Sequence, residues 1–238
     1  MADSNKTRWE KAQKCELDWW KSHKGNADWY RSCAELVEAE VNPYLKIDKD
    51  TKILEIGSGP VGPITFLNSK NKYAIDPLEY YFSSIKSYTD IRDPSVKYTT
   101  GKGEELPYES NFFDLIVIDN VLEHCENSEK VLNEIERAIK LGSVIFIRQH
   151  TYQWWGKQIH SLMESLQMDK THPFTFTEKQ MEDEFKNRGW IIRKKISYSY
   201  FKIWLNDLKN MMVKGLIKSC LFMPQSPVIY ILQNKACL

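Results

Sequence analysis

The chain has 238 residues and lacks several features that would place it quickly. No apolar run reaches the roughly 18 residues that a spanning helix needs. Neither sign of charge is in excess: 33 Lys and Arg stand against 32 Asp and Glu, a net charge of +1. Phosphate backbones are bound by basic surfaces, so this balance argues against nucleic acid as the main partner. The five cysteines, Cys15, Cys33, Cys125, Cys220 and Cys237, form no C-x-x-C pair. An odd, scattered set argues against a disulfide framework or a structural zinc site, and fits reduced thiols in the cytoplasm. Cys237, second from the end, is not placed for prenylation. The opening stretch MADSNKTRWEKAQK is polar and has no signal-peptide core. Histidines and carboxylates show no metal-ligand spacing, so no metal is expected.

Aromatic rings are abundant instead, with eight Trp and twelve Tyr. Such rings fill cores or line apolar ligand sites. Hydrophobic residues make up 42%, sufficient for one sizeable core. From Lys52 onward, strand and helix patterns alternate. KILEIG, KYAID, SVKYTT, FFDLIVIDN and SVIFIRQ read as strands. VGPITFLNS, LEYYFSSIKSY and SEKVLNEIERAIK read as the helices between them, the last with Ser128 as N-cap and Gly142 as its stop. Thr177 and Gln180 open a further helix with a capping box, and WIIRKKISYSY and PVIYILQN read as two more strands. This alternation predicts an α/β fold: a Rossmann-like, seven-stranded, mostly parallel sheet with helices on both faces. The expected organisation is a single domain. It comprises an N-terminal helical cap (1–45), a core (46–200), a helical insertion or lid (201–224) and the last strand (225–238).

The stretch ILEIGSGPVG, from Ile53 to Gly62, holds G-x-G-x-x-G at Gly57, Gly59 and Gly62. That spacing alone is a weak dinucleotide fingerprint. Pyrophosphate is held by backbone N–H groups at a helix N-terminus, and Pro60 and Pro63 offer none. Glu55, at the end of the strand, would repel a pyrophosphate and suit a ligand carrying an ammonium group. Asp76 ends the second strand, where a carboxylate accepts the hydroxyls of a ribose.

Four motifs in order then resemble the class I S-adenosylmethionine-dependent methyltransferases, in particular the small-molecule enzymes. LEIGSGPVG looks like the first motif, AIDP like the second, and GKGEELPYESNFFDLIVIDNVLEHCEN like the third and fourth together. The resemblance covers Lys52 to Ile147. It implies that Glu55, Gly57 and Gly59 surround the methionine part of S-adenosyl-L-methionine. Asp76 would hold the ribose, with Pro77 against the adenine. Gly103 and Glu104 would meet the adenine amino group, and Asp119 and Asn120 the ammonium. The family often has Asp where this chain has Lys102, so the adenine contact would pass to Glu104 or the backbone.

The implied reaction moves a methyl group to O, N or C of a small-molecule or sugar acceptor. A macromolecular acceptor (protein, glycan or lipid-linked) and a catalytically inactive cofactor-binding partner subunit are the alternatives. His150 ends the fifth strand on the functional rim and is one candidate base; His124 is the other. Tyr152, Trp154 and Trp155 follow His150 and are expected to wall the acceptor. His160 and His172 have weaker cases. The insertion, with Phe201, Trp204, Leu208, Met212 and Leu216 near one face and four lysines, reads first as core or lid packing. Peripheral contact with a membrane surface is a minority reading. DWWKSHKGNADWY, Asp18 to Tyr30, is expected to close the same mouth.

Overall fold

The computed structural model describes residues 2–23, 25–165, 174–209 and 225–235. His172 and residues 210–224 of the expected insertion lie outside them, as does the side chain of His160.

Seven strands form one sheet in the order β3-β2-β1-β4-β5-β7-β6. These are β1 (Lys52–Ile56), β2 (Asn71–Asp76), β3 (Val96–Thr100), β4 (Phe113–Asp119), β5 (Ile139–Thr151), β6 (Ile191–Ser197) and β7 (Ser226–Gln233). β1 to β5 are mutually parallel. β7 runs antiparallel between β5 and β6, and pairs His150 with Pro227. The mostly parallel sheet expected from the alternating pattern is therefore present.

Parallel strands covered on both faces carry apolar residues at successive positions. Ile53, Leu115, Val117 and Phe146 face one layer, with Ala34, Val37 and Val41 of α2 (Ala27–Val41) and Ile64. Leu54, Ile56, Ile116 and Ile118 face the other, with Val131 and Ile135 of α5 (Ser128–Ala138) and Phe185 of α7 (Glu178–Asn187). Each such fully buried side chain contributes about 1.5–3 kcal/mol. β6 forms the far edge and carries Arg193, Lys194 and Lys195, charges that discourage further strand pairing.

Several local expectations need correction. The segment after the glycine turn is a single 3-10 turn, Pro63–Phe66, and not a full helix. The buried Lys72 ammonium takes the carbonyls of Thr65 (3.1 Å) and Leu67 (3.2 Å), which pulls the chain back into β2. The segment after β2 breaks into two one-turn helices, α3 (Glu79–Phe82) and α4 (Lys86–Thr89), with Ile85 extended between them. The N-cap of α5 is Asn127, whose side chain accepts from the Lys130 N–H at 3.0 Å, and not Ser128. That helix stops at Ala138 because Ile139 is already extended and pairs with Phe113; Gly142, at φ 77°, lies inside β5. The capping box of Thr177 and Gln180 at α7 is present.

The cap consists of α1 (Ala2–Ser22) and α2, which starts at Asn26, whose side chain accepts from the Trp29 N–H at 3.2 Å. α6 (Trp154–Ser165) and α8 (Tyr200–Lys209) follow β5 and β6. Among the described residues no helix is long and apolar enough to cross a membrane.

Candidate active site

A cleft of about 500 Å³ opens at the carboxyl ends of β1, β2, β4 and β5, where α/β sheets bind ligands. Eleven of the fourteen residues singled out in the sequence line it. They arrive from five places: Glu55, Gly57 and Gly59 after β1, Asp76 and Pro77 after β2, Gly103 and Glu104 after β3, Asp119, Asn120 and His124 after β4, and His150 at the end of β5.

The glycine turn is demanded by the protein itself. Gly57, Gly59 and Gly62 adopt φ of 69°, 58° and 72°, where L-residues are strained. A Cβ on Gly57 would lie 2.4 Å from Val121, and one on Gly62 would lie 2.5 Å from the Glu55 carboxylate. Only at Gly59 is there clearance, with Trp20 at 3.5 Å.

The carboxylates differ in what already holds them. Glu55 is buried and accepts the Ile64 N–H at 2.9 Å. Burial pushes its pKa well above the ordinary carboxylate range, only partly offset by that bond. Asp76 accepts the Gly59 N–H (2.9 Å) on one oxygen and the Leu78 N–H (2.8 Å) on the other. Burial nonetheless raises its pKa to about 6. Each of its oxygens keeps a second lone pair for a ligand. Glu104 ties the start of α5, accepting from the N–H groups of Glu126 (2.7 Å) and Asn127 (3.0 Å). Lys102 turns away from the cleft floor, pairing with Glu126 at 2.9 Å and lying 3.7 Å from the Trp9 ring centroid.

Asp119 is gripped by Arg148, whose Nε donates to one oxygen at 2.6 Å and whose Nη2 donates to the other and to Cys33 Sγ. Asn120, at φ 58°, accepts the His150 N–H on its side-chain oxygen at 3.1 Å. His124 lies on the 3-10 turn Leu122–His124, its Nε2 3.7 Å from the buried Glu123 carboxylate.

The expected aromatic wall is displaced. Tyr152, Trp154 and Trp155 do not line the cleft. Tyr152 is buried with its hydroxyl accepting from Gln225 at 2.6 Å, whereas Trp154 and Trp155 are 66% and 59% exposed on α6. Tyr152 lies just beyond the end of β5, and α6 then carries the two tryptophans outward. The cap supplies the rings instead: Trp9 and Trp20 from α1, and Trp29 and Tyr30 from α2. The expectation that the stretch from Asp18 to Tyr30 closes the mouth matches this placement. Trp9 could have been found from spacing, since Trp9, Gln13, Glu16 and Trp20 share one helix face and all reach the cleft. Arg148 carried no signal in the sequence; it becomes visible only when β5 is laid beside β4. No group of His, Cys, Asp and Glu able to hold a metal exists among the described residues.

Five carboxylates line the cleft (Glu16, Glu55, Asp76, Glu104 and Asp119), against the single guanidinium of Arg148. That donor set opposes a pyrophosphate and accommodates a ligand with positive charge and hydroxyl groups.

Residues 54–147 match the model of a family described as methyltransferase domain. A 2-methoxy-6-polyprenyl-1,4-benzoquinol methylase from Dictyostelium discoideum is 37% identical over 57 residues. That match spans 24% of this chain and 18% of the relative's length. A Galdieria sulphuraria protein provisionally assigned as a sarcosine dimethylglycine methyltransferase superposes with a TM-score of 0.65 at 13% identity, covering 86% of both chains. Phosphoethanolamine N-methyltransferase 2 from Haemonchus contortus, in complex with phosphomonomethylethanolamine and S-adenosylhomocysteine, gives a TM-score of 0.61 at 14% identity, covering 85% of this chain and 53% of the other. Residues 54–147 thus match a methyltransferase domain, and the two solved structures share the fold of the chain.

Proposed function

We propose that this protein transfers a methyl group from S-adenosylmethionine to a small-molecule acceptor. The observation that carries the reading is the carboxylate-rich cleft built on the strand ends of a methyltransferase domain. When bound, the cofactor supplies an electrophilic methyl group on a sulfonium. The lining residues fit it. Asp76 has lone pairs left for the ribose hydroxyls after holding Gly59 and Leu78. Glu55 and the backbone at Asp119 provide the electron-rich ground for the ammonium. Glu104 is engaged by the backbone of Glu126 and Asn127, so the adenine contacts fall to its second oxygen and to the loop backbone.

The protein's remaining tasks are to exclude water, to align the acceptor and to take its proton where one must leave. Trp9, Trp20 and Trp29 exclude water as the cap closes the cleft. His150 and His124 line the acceptor side, and a neutral imidazole nitrogen of either accepts the proton. The bound phosphomonomethylethanolamine in the Haemonchus relative supports an acceptor of small-molecule size.

Calorimetry with S-adenosylhomocysteine and, separately, NAD tests the cofactor: micromolar affinity for the first and none for the second is expected. The reverse order would sink the reading. With an acceptor in hand, His150→Ala lowers turnover by about 10²–10⁴-fold and leaves cofactor affinity intact if His150 is the base. An unchanged rate and pH profile passes the role to His124.

A further inference from the structure

The glycine turn lacks the helix that would tie its far end, and two side chains outside the cleft hold it instead. In an α-helix the N–H groups of Ile64 and Thr65 would bond the carbonyls of Pro60 and Val61. Here Ile64 gives its N–H to Glu55 at 2.9 Å, and Thr65 gives its N–H to the Gly62 carbonyl at 3.3 Å. Pro60 and Val61 are buried, so carbonyls left without a donor would be costly. Arg92 Nε donates to the Pro60 carbonyl at 2.7 Å. The Tyr98 hydroxyl donates to the Val61 carbonyl, which also accepts from Thr65 Oγ1 at 3.0 Å. The two side chains stack, with the guanidinium carbon 3.8 Å from the Tyr98 ring centroid. Arg92 reaches a second element as well: Nη1 and Nη2 each donate to a Glu79 oxygen at 2.7 Å. Glu79 opens α3, next to Leu78, whose N–H is held by Asp76. One guanidinium, its side chain 8% exposed, thus spans the chain after β1 and the chain after β2. Neither Arg92 nor Tyr98 lines the cleft.

We propose that Arg92 and Tyr98 are positioning residues for the cofactor, replacing a helical turn and fixing the spacing between the glycine turn and the Asp76 turn. A buried ion pair such as Arg92–Glu79 adds little net stability over apolar packing, whereas its fork geometry fixes direction and distance. In the proposed function, on which this inference rests, the glycine turn meets the methionine part of the cofactor and Asp76 meets the ribose. A ligand that touches both turns depends on their spacing. A ligand confined to the Asp76 side does not. Preorganised spacing raises affinity by cutting the ordering cost of binding.

Calorimetry with S-adenosylhomocysteine, which spans both turns, and adenosine, which lacks the amino-acid end, separates positioning from general stability. Arg92→Lys keeps a charge for Glu79 but loses the planar fork; Tyr98→Phe removes only the hydroxyl and leaves the Val61 carbonyl with Thr65. S-adenosylhomocysteine should weaken about tenfold in Arg92→Lys and about fivefold in Tyr98→Phe, with adenosine within about twofold of the parent. Equal weakening of both ligands, or unchanged S-adenosylhomocysteine affinity in the folded variants, overturns the proposal. If Arg92→Lys does not fold, Tyr98→Phe decides in the same way. Where the parent does not bind adenosine, hydrogen exchange in the ligand-free protein decides instead. Exchange at the Gly59 and Ile64 amides about fivefold faster in Tyr98→Phe, with Leu54 and Ile116 unchanged, supports the brace; a uniform change or none overturns it. A parent that binds neither ligand overturns the cofactor reading separately from the brace.

Discussion

The two walls of the cleft are built on different physics. The strand-end wall rests directly on Leu54, Ile56, Ile116 and Ile118, all at most 1% exposed. Its glycines are packed so tightly that a Cβ at Gly57 or Gly62 would approach within 2.5 Å of a neighbour. Glu55, Asp76 and Glu104 are pinned by backbone N–H groups and Asp119 by Arg148. In the helical wall α2 is seated on the core, whereas α1 has little beneath it. Among the described residues of α1 Ala12 alone is in the buried core, and Trp20 meets the glycine turn with ordinary clearance. One wall is therefore set by backbone geometry and the other by side chains laid over it. Substitutions in the first should damage fold and binding together, and those in the second should damage binding alone.

The sharpest attempt to break that contrast is Gly57→Val. A positive φ and a collision with Val121 should destabilise the fold by about 3–5 kcal/mol, read by urea unfolding. A loss below about 1 kcal/mol would show that this wall yields as easily as the other.

Protonation of Asp76 comes next. Its folded pKa of about 6 lies above the ordinary value of 3.8 because burial disfavours the charge. The folded chain thus binds this proton more readily than the unfolded one. The contribution is fully present below about pH 4 and is lost as pH rises through about 6, a change on the order of 3 kcal/mol in the ligand-free protein. Cofactor affinity should run the other way, falling as pH drops below about 6, because ribose hydroxyls favour the ionised form. Asp76→Asn should flatten both profiles; a slope that persists in the variant would assign it to another group.

Asp76→Ala should weaken S-adenosylhomocysteine by about 2 kcal/mol and also lower the melting temperature, since the Gly59 and Leu78 N–H groups lose their acceptor. Normal affinity in the folded variant would remove Asp76 from the site. The smallest effect on the fold is expected at Trp20→Ala, about 1 kcal/mol or less in unfolding free energy, with cofactor affinity down about tenfold. If stability fell as far as in Gly57→Val, the two walls would be one structure.

The same contrast explains what was legible in the sequence. Strands buried on both faces announce themselves by unbroken apolar runs, and the glycine turn and Asp76 occupy fixed places at their ends. The strand-end wall could therefore be read residue by residue. Short segments were harder. The 3-10 turn at Pro63–Phe66 is set by Lys72 reaching back from β2, a contact that local propensity cannot register. Chain order points to Tyr152, Trp154 and Trp155 for the ring wall because they follow His150. Rings from α1 and α2, more than a hundred residues earlier, occupy that role in space. Arg148 was invisible for the same reason: its partners Asp119 and Cys33 come from two other elements.

The antiparallel position of β7 has a bearing on when the cleft can exist. β7 is the last strand in chain order, yet it sits between β5 and β6 and lends Pro227 to the cleft wall beside His150. During synthesis, β1 to β5 can assemble as their residues emerge. β6 has no neighbour to pair with until β7 arrives. A nascent chain halted before Ser226 would carry the glycine turn and Asp76 beside an open flank on β5. The cleft's final wall is thus contributed only after β6 has been made, and earlier binding would meet a site missing one side.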